Sequence, residues 1–248
     1  MSESFRVGFD LDGVLADLAS AIAAIAESLP GAGALPVSAD DPDGDAGSVA
    51  EVDAGATPEA ATRGAAGTAA GDEQRADPGL TRDIWRTIRA TENFWETLRE
   101  IENGAVARLA ALAEEHRWEV VFLTQRPSTR GGTTQRQSQR WLAGLGFSYP
   151  SVCVVAGSRG KVADALGLDV VVDDRPENCV DVVTDSKATA VLIWRGGQDS
   201  VVRNARRLGI EVADSASDCL DRLAAGFISP TSRGGFVGRL KRWLAPSS

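Results

Sequence analysis

Phe9-Asp10-Leu11-Asp12, followed at once by Gly13-Val14, is the stretch whose reading decides the fold. The apolar run from Phe5 to Phe9 reads as a buried strand that delivers two carboxylates, two positions apart, to its C-terminal end. Gly13 permits a tight turn away from the sheet. In open α/β sheets ligands bind just outside the carboxyl ends of strands, so both acids fall where a site would be. The same pair would also serve as a turn and a helix cap.

Three later segments bear on that choice. Val120-Val121-Phe122-Leu123 is a second apolar run, ending in Thr124-Gln125-Arg126-Pro127. A third run, Val152 to Val155, precedes a helical stretch opened by Gly160-Lys161. The fourth, Val170-Val171-Val172, ends in Asp173-Asp174 before Arg175-Pro176. Parallel strands would bring all these polar groups to one rim. Two acids, a hydroxyl, a lysine and two more acids suit metal-assisted phosphoryl transfer. One carboxylate attacks phosphorus to form an acyl phosphate. A second protonates the leaving oxygen and then activates water. A cation, a lysine and a hydroxyl or backbone amide hold the spread charge of the phosphoryl group. Magnesium, with its preference for oxygen ligands and retained waters, needs only one or two carboxylates.

The order Asp10-x-Asp12-Gly13, Thr124, Lys161, Asp173-Asp174 resembles the four motifs of the haloacid dehalogenase-like hydrolase superfamily. Its wording is most similar to the 5'(3')-deoxyribonucleotidase (type C 5'-nucleotidase) branch, in the phrases FDLDGVLAD, NFWETL (Asn93 to Leu98), LTQRP and VDDRPENC. The resemblance spans roughly residues 5–30 and 84–195. It implies Asp10 as nucleophile and magnesium ligand, and Asp12 as general acid/base with its backbone carbonyl on the metal. It further implies Thr124, the backbone at Gln125 and Lys161 as phosphate holders, and Asp173 and Asp174 as completing the Mg2+ site, with Asp174 the direct ligand. Gln125 stands where relatives often carry Ser.

Composition excludes several classes. The chain has 248 residues, 43% hydrophobic and 25% charged, which suits a globular protein. Cys153, Cys179 and Cys219 are scattered without CxxC spacing, which argues against a disulfide framework and a zinc site. One histidine, His116, excludes histidine-based triads; it ends a predicted helix, where its charge would suit the C-terminus. No secretory signal or membrane-spanning run is evident, so a cytoplasmic protein without stable membrane insertion is expected. Ten acids against two bases in residues 31–80 supply −8 of the net −9, leaving a nearly neutral remainder with no nucleic-acid footprint.

Those residues also contain no aromatic side chain, and 27 of 50 are Ala, Gly or Pro, too little apolar surface to offset ordering. They read as a disordered insertion, or as short Ala-rich helices. Flanking it, Val14 to Leu29 and Thr81 to Ala90 carry apolar stripes (Leu15, Leu18, Ile22, Ile25; Ile84, Trp85, Ile88). The superfamily resemblance makes this region, about residues 17–100, a small helical cap. Residues 1–16 and 101–228 then form the catalytic core. From Ala105 onward helix and strand alternate: helix 105–115, strand 119–123, helix 131–143, strand 152–155, helix 160–167, strand 170–173, helix 177–186, strand 190–194, helix 199–207, and a last strand and helix. The fold class is therefore α/β, a doubly wound parallel sheet. Residues 229–248 form a basic amphipathic tail that could dock on the protein itself, or on a membrane surface or acidic partner.

Trp85, Phe94 and Trp95 are substrate-cap candidates, able to stack on a base or simply to pack cap on core. Arg126, Arg130 and Arg136 could select a second anionic group or solvate a helix face. The expectation is a Mg2+-dependent phosphatase for a small phosphorylated metabolite, first a nucleotide. A sugar-phosphate phosphatase, a signalling receiver and a non-catalytic phospho-ligand binder are the rivals. A receiver would carry its acidic pair on the first strand, whereas here the pair comes last; a non-catalytic relative would have lost an acid.

Overall fold

The computed structural model describes residues 4–29 and 78–228. Nearly all of the 31–80 insertion, and the 229–248 tail, lie outside the described residues. Among the described residues six strands form one sheet: β1 (Arg6–Asp10), β2 (Glu119–Thr124), β3 (Ser151–Val154), β4 (Val170–Asp173), β5 (Thr189–Ile193) and β6 (Glu211–Ala213). Their order is β3-β2-β1-β4-β5-β6, and every pairing is parallel. This is the expected doubly wound sheet. The chain moves outward in opposite directions from β1, so the crevice at the reversal opens between β1 and β4.

Helices cover both faces: α1 (Leu18–Ser28), α2 (Pro78–Ala90), α3 (Ala105–His116), α4 (Thr134–Gly144), α5 (Arg159–Leu166), α6 (Pro176–Asp185), α7 (Asp199–Arg207) and α8 (Ala216–Ala224). The strands are buried on both faces, and successive side chains alternate between two clusters. Val7, Phe9, Phe122, Val170, Val172, Val191 and Ile193 join an apolar cluster with α1, α2, α3 and α8. Leu123, Val171, Ala190 and Leu192 point the other way, into a cluster with α5, α6 and α7. On that second face a Cβ at Gly8 would press on Leu168 Cδ1, at 2.8 Å, so the glycine lets the strand approach that side chain. Leu18 and Ile22 of α1 and Ile84, Trp85 and Ile88 of α2 belong to the first cluster, continuous with the sheet.

Two helices start three or more residues later than expected. The first helix begins at Leu18 rather than Val14, because Gly13 takes φ +80° and Leu11 to Ala16 close a turn of their own. In that turn Leu11 O accepts from Leu15 N at 2.9 Å and from Ala16 N at 2.7 Å. Asp17 then caps α1 by accepting from Ser20 N at 3.0 Å. The fourth helix begins at Thr134 rather than 131, since Gly131 sits at φ +95° and Thr133 supplies the cap.

Candidate active site

Asp10 ends β1, Thr124 ends β2 and Asp173 ends β4, and these strands are neighbours, so the sheet itself gathers the three side chains. All are buried, at 6%, 1% and 1% exposure. Asp12 and Asp174 follow in the adjoining turns, and Asp174 fills the space a Cβ on Gly13 would need. The turn that carries Asp12 is braced from below. Arg195 donates from Nη1 to Gly13 O at 2.6 Å and from Nη2 to Val14 O at 3.3 Å. Arg195 is held in turn by Glu102 at 2.8 Å.

The cation that reaches the acids is Arg159, two residues before the expected Lys161. Arg159 is 2% exposed, hydrogen-bonds through Nη2 to Asp10 Oδ1, and places Nε 3.4 Å from Asp173 Oδ2. Among the described residues its Nε and Nη1 are buried without a hydrogen-bond partner. Lys161 is exposed, and its backbone N–H bonds to the Ser158 cap at 3.3 Å. Helix phase explains the exchange: residues two apart on a helix point about 200° apart, so only one of the two can face the sheet ends. Gly160 sets the phase, because it lies so close to the Asp181 carbonyl of α6 that no side chain fits there.

Arg126 makes the second buried cation. Its Nε donates to Asp12 Oδ1 and Oδ2 at 3.1 and 2.8 Å, and Nη2 donates to Oδ1 at 2.7 Å. Thr124 Oγ1 accepts from Arg126 N at 3.3 Å, and Gln125 is exposed beside them. Arg130 and Arg136 are exposed.

Four acids in this small volume are electrostatically crowded. Burial pushes the Asp10 carboxyl well above the ordinary range; Arg159 opposes the rise, while Asp173, Asp12 and Asp174 add to it. Burial also raises Asp173, against Arg159 and hydrogen bonds from Arg175 N and Asn178. Asp174 is pushed up to about 7 by burial and then by the charge of Asp173. Were all four ionised, the two buried guanidinium groups would leave two negative charges over, besides the exposed Arg175. That excess, carried on hard oxygen donors, fits a divalent cation such as Mg2+. Among the described residues no three His, Cys, Asp or Glu side chains are already spaced to hold a metal ion.

The three aromatics expected in a cap are not an open platform. Trp85, Phe94 and Trp95 are 2%, 5% and 0% exposed, so each offers its faces to packing rather than to a base. Phe94 meets Trp95 edge-on at 5.0 Å, and Trp95 Nε1 donates to Pro127 O at 3.0 Å. Large rings gain most by being removed from water, and these have been. His116 ends α3 as expected, stacked on Trp118 at 5.1 Å.

The sequence reading missed Arg159 and the roles of Gln137 and Ser138. These last two lie in a helix rich in polar residues, yet both are fully buried. Gln137 accepts from Trp95 N at 3.2 Å and donates to Thr129 Oγ1 at 2.9 Å, joining the 94–96 turn to the loop after β2. Their neighbours Thr133, Thr134, Gln135 and Gln139 are uncharged polar residues too, so nothing local set the buried pair apart.

No protein-family model and no curated protein matches the chain. Among solved structures it is similar to a hydrolase of the haloacid dehalogenase-like family from Streptococcus pneumoniae. The identity is 11%, over 90% of this chain and 100% of that one, with a TM-score of 0.48.

Proposed function

We propose that the chain is a magnesium-dependent phosphatase acting on a small phosphomonoester through an aspartyl-phosphate intermediate. The observation that carries this reading is Arg159: a buried guanidinium beside Asp10 whose Nη1 has no hydrogen-bond partner among the described residues and whose Nε only faces Asp173 at 3.4 Å. Unpaired buried donors are costly, and phosphoryl oxygens are the acceptors that would satisfy them next to a nucleophile.

In this reading an Asp10 oxygen attacks phosphorus and the ester P–O bond breaks. The Asp12 carboxyl gives its proton to the departing oxygen. Asp12, now a carboxylate, takes a proton from water, whose oxygen attacks the acyl phosphate. Inorganic phosphate leaves and Asp10 is restored. Arg159, Thr124 Oγ1 and the backbone at Gln125 hold the phosphoryl oxygens. Asp10, Asp174 and the Asp12 carbonyl would hold Mg2+, with Asp173 behind them. The cation would supply neutralisation of the charge that develops on the phosphoryl group.

A nucleoside monophosphate is the substrate suggested by the resemblance of the motif phrases. The burial of Trp85, Phe94 and Trp95 favours a second reading, a sugar phosphate or another small ester that needs no stacking surface. A screen over nucleotides and sugar phosphates, with Mg2+ and with chelator, tests both. Turnover only with the cation is expected, and the absence of phosphate release from every ester would overturn the reading.

A further inference from the structure

We infer that Arg126 is a positioning residue for Asp12, fixing the carboxyl group that delivers the proton to the leaving oxygen; this rests on the phosphatase reading above. The guanidinium has no freedom left. Nε and Nη2 grip both oxygens of Asp12, and Nη1 donates to Ser138 Oγ at 3.0 Å. Its carbon lies 4.9 Å from the Trp95 ring centroid and 5.7 Å from that of Trp141. Both indoles are themselves anchored, Trp95 to Pro127 O at 3.0 Å and Trp141 through Nε1 to Leu98 O at 2.7 Å. The Arg126 side chain is 0% exposed and that of Asp12 20%, so the clamp is buried while the carboxyl group it holds stays accessible.

A lone Asp side chain rotates about two bonds. Two parallel N–H···O bonds from a planar group fix both, which a lysine's single ammonium cannot do. The clamp therefore acts in the step where the Asp10–phosphorus bond forms, the ester P–O bond breaks and the Asp12 proton moves to the leaving oxygen. An alkoxide needs that proton and a nitrophenolate hardly does. Loss of the clamp should consequently depend on the leaving group, whereas loss of mere packing should not.

The test measures kcat and KM for the full chain with Mg2+ on 2-glycerol phosphate and on para-nitrophenyl phosphate, in wild type, Arg126→Lys, Asp12→Asn and the double variant. Misplacing a catalytic group costs on the order of 10²-fold. Arg126→Lys should lose about that much kcat on the glycerol ester, roughly tenfold or less on the nitrophenyl ester, with KM little changed. Added to Asp12→Asn it should cost nothing further. Equal losses on both esters, or a full further loss in the double variant, would overturn the inference while leaving the phosphatase reading intact. A wild type inert on every ester would overturn both. Should Arg126→Lys not fold, Ser138→Ala withdraws only the third hydrogen bond; a smaller loss with the same leaving-group dependence supports the clamp, and equal or absent losses overturn it.

Discussion

Gly13 and Asp174 share one space: the Asp174 carboxylate lies where a side chain on Gly13 would begin, and Gly13 is at φ +80°. The turn of the first motif and the acid of the last are thereby fitted to each other, although 161 positions separate them in the sequence.

Gly13→Ala should therefore fail twice, through backbone strain of about 1–3 kcal/mol and by displacing Asp174. Thermal unfolding should show a lower Tm, and Mg2+ should raise that Tm less than it does in wild type. A wild-type Tm with a wild-type response to Mg2+ would contradict the close fit.

Asp174→Asn should do the opposite to stability. The carboxyl takes its proton near 3.8 when unfolded and near 7 when folded, so its contribution to stability falls as pH rises between those values. Without divalent cation, the variant should melt higher than wild type at pH 8 and lose that advantage near pH 4. In wild type, Mg2+ should recover the difference.

Asp10→Asn should fold and release no phosphate. Asp12→Asn should lower kcat by about 10²–10⁴ as the loss of a general acid/base. Rapid-quench assays on a confirmed substrate check both, and near-normal turnover in either variant would remove that residue from its role.

Arg159 and Lys161 separate cleanly. Arg159→Met should abolish inhibition by inorganic phosphate and raise KM by about 10²-fold, the scale of a lost charge-assisted contact. Lys161→Ala should shift either value by less than about threefold, as exposed charges contribute little. The reverse ranking would return the phosphate to Lys161.

Glu102 predicts an acid limb. Burial would raise its pKa, but hydrogen bonds from Ser217, Arg195 and the Ala216 backbone outweigh burial and lower it from 4.5 to about 2. Its stabilisation is complete above pH 4.5 and is lost as pH falls toward 2. The Tm advantage of wild type over Glu102→Gln should be constant from pH 5 to 7 and shrink below 4.5.

The strand ends were legible because alternation, glycine and proline mark where a buried run stops: Asp10, Thr124 and Asp173 each follow an apolar run directly. Arg159 was not legible. Choosing it over Lys161 requires the rotation of α5, which the approach of Gly160 to Asp181 sets from another helix. The partner of Arg126 lies 114 residues away, and nothing local to LTQRP names Asp12. The aromatics stood open between two readings for a related reason: a tryptophan that packs and one that stacks on a ligand look alike until burial is known.

Because β1 lies between β2 and β4, it is flanked by strands that are made much later. Val7 pairs with Val120 on one side and Val170 on the other, so β1 remains unpaired until well over a hundred further residues have been synthesised. Closure over that distance slows folding far more than it weakens the fold, since doubling an intervening segment costs only about 0.6 kcal/mol. The chain between β1 and α2 is thus the place where length can accumulate at little thermodynamic cost, with the strand that ends in Asp10 waiting for its neighbours.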